Sequence, residues 1–174
     1  MTSISKKIYF ASDQHFGAAT PELSFPREQK FVAWLDEVKK DAEAIFLLGD
    51  LFDFWFEYKT VVPKGFVRVL GKLAEIRDSG IPIYFFVGNH DLWMNDYFEK
   101  ELNIPVFHEN QEYTFHGKTF LVGHGDGKGP GDLGYKRMKK VFTNPFSKWL
   151  FRWLHPDLVV GLAQYLSVKN KLIS

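Results

Sequence analysis

Four short clusters of polar side chains have the residue types of a metal site. They bring together carboxylate, imidazole and amide groups, and the chain contains no cysteine. The clusters are Asp13-Gln14-His15, Gly49-Asp50-Leu51-Phe52-Asp53, Gly88-Asn89-His90-Asp91 and Gly123-His124-Gly125-Asp126. Oxygen and nitrogen donors without sulfur suit Mn²⁺, Fe or Zn²⁺ in a catalytic site better than a structural zinc site.

The clusters contain more donors than one ion requires. Two divalent ions about 3.5–4 Å apart, sharing a bridging carboxylate, would use the set and activate water for in-line attack on phosphorus. The glycines fit this chemistry, because tight turns bring the backbone close to the ions and expose N–H groups to phosphate oxygens. The donor set therefore favours a dinuclear site for phosphoryl chemistry.

Each donor also has a structural alternative when it is taken singly. An Asp or Asn after a strand is usually a turn former or a helix cap, and we expect Asp91 to cap a helix near Trp93. A lone His is more often a surface residue or a satisfied core group. We place His108, His116 and His155 in that class, since none has a comparable context. Four polar clusters at four strand ends are much harder to explain in this way.

Short apolar runs precede the first three clusters and predict strands buried on both faces. These runs are residues 8–12, 44–48 and 83–87. Helical periodicity between them predicts parallel strands joined by crossover helices, and hence an α/β fold. Because ligands bind at the carboxyl ends of the strands in such a sheet, the clusters should meet at one rim.

The pattern changes after the third cluster. The expected elements are a short helix at residues 93–101, a strand at 105–107, and a hairpin of 112–115 and 118–122. The second hairpin strand leads into the fourth cluster. A glycine-rich loop and helical periodicity follow to the end.

Composition excludes several classes of protein. The chain has 174 residues and is 45% hydrophobic, which predicts one domain with a sizeable core. Its 22 basic and 21 acidic residues do not indicate binding to nucleic acid. The N-terminal apolar run is too short for a signal peptide or membrane span, so we expect a cytoplasmic protein. No G-x-G-x-x-G follows the first strand, which disfavours a dinucleotide-binding domain.

In their order, the motifs D-x-H, G-D-x-x-D, G-N-H-D and G-H-G-D resemble those of the calcineurin-like metallophosphoesterases. The resemblance implies an αββα sandwich of mixed sheets flanked by helices. It also implies two divalent ions, with one ligand pair on each ion and Asp50 bridging both. The implied ligands are Asp13 and His15 on the first ion, and Asn89 and His124 on the second.

The same resemblance implies catalytic roles for two residues. His90 would contact the scissile phosphate or protonate the leaving group, and Asp53 would orient it. A carboxylate beside an imidazole favours the protonated imidazole, so the pairing is chemically sensible. Asn89 and His90 are both expected to lie against the substrate.

A narrower resemblance covers nearly the whole chain. The stretches IFLLGDLFDFW, DSGIPIYFFVGNHD and GHGDGKGPGDLGYKRMKKVFTNPF are similar to the UDP-2,3-diacylglucosamine hydrolases of lipid A synthesis. Those enzymes cleave the pyrophosphate of a diacylated nucleotide sugar, releasing UMP and the acyl-sugar phosphate, usually with Mn²⁺. The resemblance implies that Asp132 and Tyr135 bind substrate.

That family also inserts a helical lid after this segment. Residues 141–168 are rich in Trp, Phe and Leu, so we divide the single domain into a core at 1–140 and an apolar lid at 141–174. This stretch has three possible roles: a helical pair that packs in the core, a groove for acyl chains, or a peripheral contact with the inner membrane. His155-Pro156-Asp157 interrupts the stretch and excludes a transmembrane helix.

Two departures from the narrower family keep other functions open. Proteobacterial members have Arg in place of His90 and Glu in place of Asp53, so the substrate could be another nucleotide or phosphodiester. The family's late G-H-x-H motif and the last strands of its second sheet have no counterpart after Asp126. We therefore expect a fragment of a longer enzyme, or a short paralogue with weakened metal binding. A catalytically silent lipid- or membrane-surface binding module is the non-enzymatic alternative.

Overall fold

A computed structural model describes most of the chain. The described residues are 6–18, 20–125, 140, 142–159 and 161. Asp126, Asp132 and Tyr135 lie outside them, and their predicted roles stay predictions. The division into core and lid also stays a prediction.

A four-stranded parallel sheet forms the centre of the fold. Its strands, in spatial order, are β1 (Lys7–Ala11), β2 (Ala42–Leu47), β3 (Ile83–Phe86) and β4 (Val106–Phe107). The register aligns Ala11 with Leu47 and Leu47 with Phe85. Because neighbouring strands are parallel and in step, the loops that follow β1, β2 and β3 leave the sheet at one rim.

Two crossover helices cover one face of this sheet. They are α1 (Pro21–Val38) and α2 (Val67–Asp78). Their buried side chains recur every three or four residues, which places one apolar stripe of each helix on the sheet. These side chains are Phe31, Leu35 and Val38 of α1 and Val69, Leu73 and Ile76 of α2. They join Ile45 and Phe85 of the sheet in the main hydrophobic core.

A β-hairpin covers the opposite face. Its strands β5 (Gln111–Phe115) and β6 (Lys118–Val122) pair antiparallel. At the two-residue turn, His116 and Gly117 have φ angles of 49° and 76°, the conformation of a type I′ turn. Tyr113 and Phe115 contact the ring of Phe46, with centroids 4.9 and 5.5 Å away. Within the described residues the layers are helices, parallel sheet and hairpin, consistent with the expected mixed-sheet sandwich.

The segment after β3 differs from the expected helix at 93–101. Helix α3 (Tyr97–Leu102) begins later, and its N-terminal cap comes from a distant side chain. The buried carboxylate of Glu57 accepts hydrogen bonds from the backbone N–H groups of Asp96, at 2.8 Å, and Tyr97, at 3.1 Å. Asp91 does not cap a helix near Trp93, so that expectation is wrong.

Helix α4 (Pro145–Arg152) lies in the segment expected to form the lid. Asn144 caps it, because its side chain accepts a hydrogen bond from Phe146 N at 2.8 Å. This segment contacts Trp93, whose indole N–H donates to the carbonyl of Phe142 at 2.5 Å. The ring centroids of Trp93 and Phe151 are 4.8 Å apart. Over the described part of the chain, no helix has the length and apolar character needed to cross a bilayer.

Candidate metal centre

The loops after β1 and β2 run side by side at the rim and carry the first two polar clusters. Asp13 N donates to Gly49 O at 3.1 Å, and His15 N donates to Asp50 O at 2.9 Å. Backbone pairing therefore continues past the ends of the strands. It holds the first two clusters at a fixed distance from each other.

Three of the predicted ligands have left-handed backbones. The φ angles are 58° at Asp13, 48° at His15 and 53° at Asp50. A residue with a Cβ atom adopts this conformation at a cost of order 1 kcal/mol, and such strain concentrates at functional sites. Its presence at three predicted ligands indicates that the local backbone is shaped to aim their side chains.

Two glycines allow the second and third loops to approach closely. A Cβ atom on Gly88 would lie 2.2 Å from Asp50 Oδ1, and one on Gly49 would lie 2.6 Å from Gly88 N. No other residue fits either position without moving the backbone. The backbones of the G-D and G-N-H motifs are therefore packed directly against each other.

The first donor group consists of Asp13, His15 and Asp50. His15 Nε2 lies 3.9 Å from Asp13 Oδ1 and 3.8 Å from Asp50 Oδ2. One ligand atom from each residue lies within 4.8 Å of the other two. An ion that binds oxygen and nitrogen at about 2.0–2.2 Å fits among donors spaced in this way.

The second donor group shares Asp50. His124 Nε2 lies 3.5 Å from Asp50 Oδ2 and 3.2 Å from Asn89 Oδ1. Asp50 is 3% exposed, and its other oxygen, Oδ1, accepts a hydrogen bond from His90 N at 2.8 Å. Oδ2 therefore lies between the two imidazoles, the place that a bridging carboxylate would take. The structure brings all five predicted ligands together, and their metal-binding roles remain predictions.

His90 and Asp53 are adjacent, but their main contact differs from the expected one. His90 Nδ1 lies 2.9 Å from the backbone carbonyl oxygen of Asp53 and 3.7 Å from its carboxylate Oδ1. The same carboxylate oxygen lies 3.5 Å from His15 Nδ1. The His15 and His90 rings meet edge to face, with centroids 4.6 Å apart. Asp53 therefore supports two imidazoles, and its contact with His15 was missed at the level of sequence.

His15, Asp53 and His90 form a second trio whose ligand atoms lie within 4.8 Å of one another. We interpret this trio as support for the metal centre. Asp53 contacts the Nδ1 atoms of both imidazoles, and metal-binding histidines usually direct one ring nitrogen to a carboxylate or carbonyl group.

Asp91 has a role that the sequence did not reveal. Its side chain is fully buried and accepts hydrogen bonds from Gly88 N at 2.6 Å and from Leu51 N at 3.0 Å. Burial raises the pKa of this carboxyl to about 7, while the hydrogen bond from Gly88 N acts in the opposite direction. Asp91 thus connects the second and third loops. Both of its carboxylate oxygens accept these hydrogen bonds, which is why it does not cap a helix.

A cavity of about 930 Å³ opens beside these loops. Gly17 and Phe54, which closely follow the predicted residues His15 and Asp53, lie in its wall. Much of the lining is apolar, and the segment after α4 contributes to it. These further lining residues are Phe25, Phe56, Val62, Phe66, Pro156 and Gly161. The cavity therefore offers apolar surface together with charged groups such as Lys64 and Arg68.

Two histidines assigned to the surface class have exposed side chains. His116 occupies the hairpin turn, and His155 accepts a hydrogen bond from Asp157 N at 3.3 Å. Their side chains are 70% and 69% exposed. Neither belongs to the donor groups described above.

Residues 6–164 match the calcineurin-like phosphoesterase family. The chain belongs to this family, which confirms the broader resemblance and implies divalent metal ions. A crystal structure of a protein of unknown function from Aquifex aeolicus has a TM-score of 0.50 at 21% identity. The match covers 78% of this chain and 71% of that one, and it supports the fold alone.

Curated relatives confirm the narrower resemblance. The chain is 42% identical over 166 residues to a UDP-2,3-diacylglucosamine hydrolase from Porphyromonas gingivalis, covering 95% of this chain and 63% of the relative. It is 30% identical to the enzyme of the same name from Actinobacillus succinogenes, covering 94% of this chain and 68% of that enzyme. The chain therefore spans about two thirds of the length of these relatives.

Proposed function

We propose that this chain provides the metal centre of a hydrolase that cleaves the pyrophosphate of UDP-2,3-diacylglucosamine. The products would be UMP and 2,3-diacylglucosamine 1-phosphate, as in lipid A synthesis. The observation that carries the proposal is the position of Asp50 Oδ2, 3.8 Å from His15 Nε2 and 3.5 Å from His124 Nε2. The name of a relative that is 42% identical, UDP-2,3-diacylglucosamine hydrolase, supports this choice of substrate.

Two Mn²⁺ ions are the proposed cofactors. Asp13, His15 and Asp50 would hold the first, and Asp50, Asn89 and His124 would hold the second. This donor set of carboxylate, imidazole and amide oxygen suits Mn²⁺, with Fe or Zn²⁺ as chemical alternatives. When bound, the ions would polarise the phosphoryl group and activate water for in-line attack.

His90 is the proposed hydrogen-bond donor or acid toward the phosphate. Its Nδ1 contacts the carbonyl of Asp53 at 2.9 Å, so we assign the Nδ1 proton to this bond. Nε2 is then the atom that serves the substrate, and a protonated ring would transfer its Nε2 proton to the leaving oxygen. The two contacts from Asp53 fix the orientation of the ring, which is what an acid in this position requires.

The acyl chains are proposed to occupy the 930 Å³ cavity. This cavity begins at residues next to the loops that follow β1 and β2 and carry Asp13, His15 and Asp50, here called the metal loops. A substrate with its pyrophosphate at the ions could extend an acyl chain into it. Asp132 and Tyr135 are proposed to contact the polar part of the same substrate. Ligand sites are typically apolar pockets with a few polar groups that fix the orientation of the ligand.

The exposed face of α4 and the residue that follows it are proposed to contact the membrane. Phe146, Trp149 and Trp153 are 69%, 54% and 75% exposed, and Lys148 and Arg152 lie on the same segment. Aromatic side chains with interspersed basic residues are typical of peripheral contact with an anionic bilayer. The proposed place of action is the cytoplasmic face of the inner membrane.

The test is release of UMP from UDP-2,3-diacylglucosamine by the purified protein, with and without Mn²⁺. We expect Mn²⁺-dependent UMP release that is lost in the Asp50→Asn variant. Cleavage of simple phosphodiesters without any release of UMP would refute the substrate assignment and retain the family chemistry.

A second candidate is a phosphoesterase for another nucleotide or phosphodiester. His90 and Asp53 match the general family pattern, which favours this alternative. Turnover of His90→Ala on both substrate types separates the two. A loss confined to the simple phosphodiester would favour the second candidate.

A further inference from the structure

Helix α1 carries a buried polar pair at the end that faces the metal loop. Ser24 is 2% exposed and Glu28 is 8% exposed. Their spacing continues the buried stripe of Phe31, Leu35 and Val38, so the stripe is apolar in its second half and polar in its first. Burying polar side chains is costly unless hydrogen bonds compensate, and the partners of this pair therefore indicate its use.

The hydrogen-bond partners of this pair include the backbone of Gly17, in the loop that follows β1. Gly17 N donates to Ser24 Oγ at 2.7 Å, and Ser24 Oγ donates to Glu28 Oε1 at 3.2 Å. A carboxylate that accepts from a hydroxyl makes the hydroxyl oxygen a better acceptor for the next donor. Gly17 follows His15 by two residues, so the chain of hydrogen bonds ends beside a predicted ligand.

A second contact holds the neighbouring residue. Arg27 Nη2 donates to Ala18 O at 3.0 Å, and Ala18 N donates back to His15 O at 3.1 Å. Residues 15–18 therefore form a turn that α1 holds at two consecutive positions. The turn contains left-handed backbone at His15, with φ of 48°, and at Gly17, with φ of 89°. Strained backbone of this kind persists only where the surrounding structure determines it.

We propose that Ser24 and Glu28 are positioning residues for the metal centre. They hold the turn of residues 15–18 so that His15 keeps its left-handed backbone and its Nε2 stays near Asp13 and Asp50. Neither residue would touch a metal ion. The inference rests on the proposed function only in taking His15 as a metal ligand, and it does not depend on the substrate.

Binding of Mn²⁺ to the protein, measured by calorimetry and electron paramagnetic resonance without substrate, tests this proposal. Ser24→Ala removes the acceptor for Gly17 N, and we expect about a tenfold weaker affinity at one of two sites. A change of this size is usual when a residue that supports a metal ligand is replaced. Ser24→Thr keeps the hydroxyl and should restore the affinity. Glu28→Gln keeps an acceptor and should lose about threefold or less, whereas Glu28→Ala should resemble Ser24→Ala.

The matched control is Ser79→Ala. The Ser79 hydroxyl donates to the backbone carbonyl of Ile76 at 2.6 Å at the end of α2. Its loss therefore also removes a hydroxyl hydrogen bond, but one that does not contact residues 15–18. We expect unchanged Mn²⁺ affinity in this variant. The Glu28 variants give an independent reading if Ser24→Ala does not fold.

The Mn²⁺ dependence of UMP release separates positioning from a general loss of stability. In Ser24→Ala the Mn²⁺ concentration for half-maximal rate should rise about tenfold, with kcat recovered at saturating Mn²⁺. A lower melting temperature with unchanged Mn²⁺ affinity would overturn the proposal, as would a wild-type protein that binds no Mn²⁺. A wild-type protein that binds Mn²⁺ but releases no UMP would refute only the proposed substrate, since the affinity comparison still stands.

Discussion

His124 Nδ1 lies 2.7 Å from the carbonyl oxygen of Leu48, the residue that follows β2. This contact assigns the proton to Nδ1 and leaves the lone pair of Nε2 available to a metal ion. The fourth cluster is thereby joined to the end of the second strand, although 76 residues separate the two partners. Among the described residues, His124 is the predicted ligand on the segment that follows the hairpin.

We expect His124→Ala to remove one of two Mn²⁺ sites and to lower turnover by on the order of 100-fold. Calorimetric titration gives the number of sites, and UMP release gives the turnover. His116→Ala is the matched control, because this imidazole is exposed at the hairpin turn and should leave both quantities unchanged. Two tight sites in His124→Ala would contradict the assignment.

Replacement of glycine should have opposite effects at two positions. Gly88→Ala places a Cβ atom 2.2 Å from Asp50 Oδ1, and we expect a loss of about 1–3 kcal/mol in unfolding free energy and weaker metal binding. Gly71→Ala lies inside α2, where a Cβ atom meets nothing within 4 Å, and should gain about 0.5–1 kcal/mol. Denaturant unfolding of both variants checks the prediction, and equal effects of the same sign would contradict it.

Strands β2 and β3 could be predicted from sequence as buried strands because their apolar runs are continuous. The same expectation is wrong for the burial of β1, which lies at the edge of the sheet with Phe10 44% exposed. Residues 83–87 were expected and β3 is Ile83–Phe86, while the second hairpin strand lies at the expected residues, Lys118–Val122. The convergence of the first three clusters follows from the parallel order of β1, β2 and β3. The fourth cluster follows β6 of the separate antiparallel hairpin, and the contact of His124 with Leu48 O holds it at the same rim. The correct inferences needed only local pattern and a general property of α/β sheets.

The roles of Asp91 and Glu57 could not be predicted in this way. Asp91 binds the N–H of Leu51, which is 40 residues distant, and Glu57 binds the N–H groups that begin α3. A local motif shows that an acidic side chain is present, but it does not show which distant donors the fold will bring to it. The helix expected at residues 93–101 begins at Tyr97 instead, where Glu57 accepts from the first N–H groups.

Asp91→Asn should destabilise the protein by about 1–3 kcal/mol. An amide has one acceptor oxygen where the carboxylate has two, so either Gly88 N or Leu51 N would lose its buried partner. Thermal and denaturant unfolding measure the change. Asp78→Asn is the control, since Asp78 is exposed at the end of α2 and its replacement should be nearly neutral. Equal stability of the two variants would show that the loops do not depend on Asp91.

Replacement of the exposed aromatic residues of the lid should weaken membrane binding. We expect Trp149→Ser with Trp153→Ser to lower binding to anionic phosphatidylglycerol vesicles by at least tenfold. Co-sedimentation measures the bound fraction. Val67→Ser is the control, because Val67 is 75% exposed on α2 and its replacement removes apolar surface elsewhere. Equal binding by all three proteins would refute the membrane contact.

The bond between Trp93 and Phe142 offers a test of the lid as a shelter for acyl chains. Trp93→Phe removes the indole N–H that donates to Phe142 O, while the smaller ring can still contact Phe151. The lid segment would lose its polar anchor to the core next to the metal loops. We expect KM for UDP-2,3-diacylglucosamine to rise about tenfold, the value of roughly one buried hydrogen bond.

Hydrolysis of a small phosphodiester without acyl chains should change little in Trp93→Phe, since that substrate does not reach the cavity. Trp34→Phe is the matched control, because Trp34 stacks on Phe31 in α1 and its replacement leaves the lid intact. An equal loss on both substrates would indicate that Trp93 acts on the metal loops instead. In that case the cavity beside Phe54 would not be the site of the acyl chains. Trp93→Phe would then affect the substrate with acyl chains no more than the substrate without them.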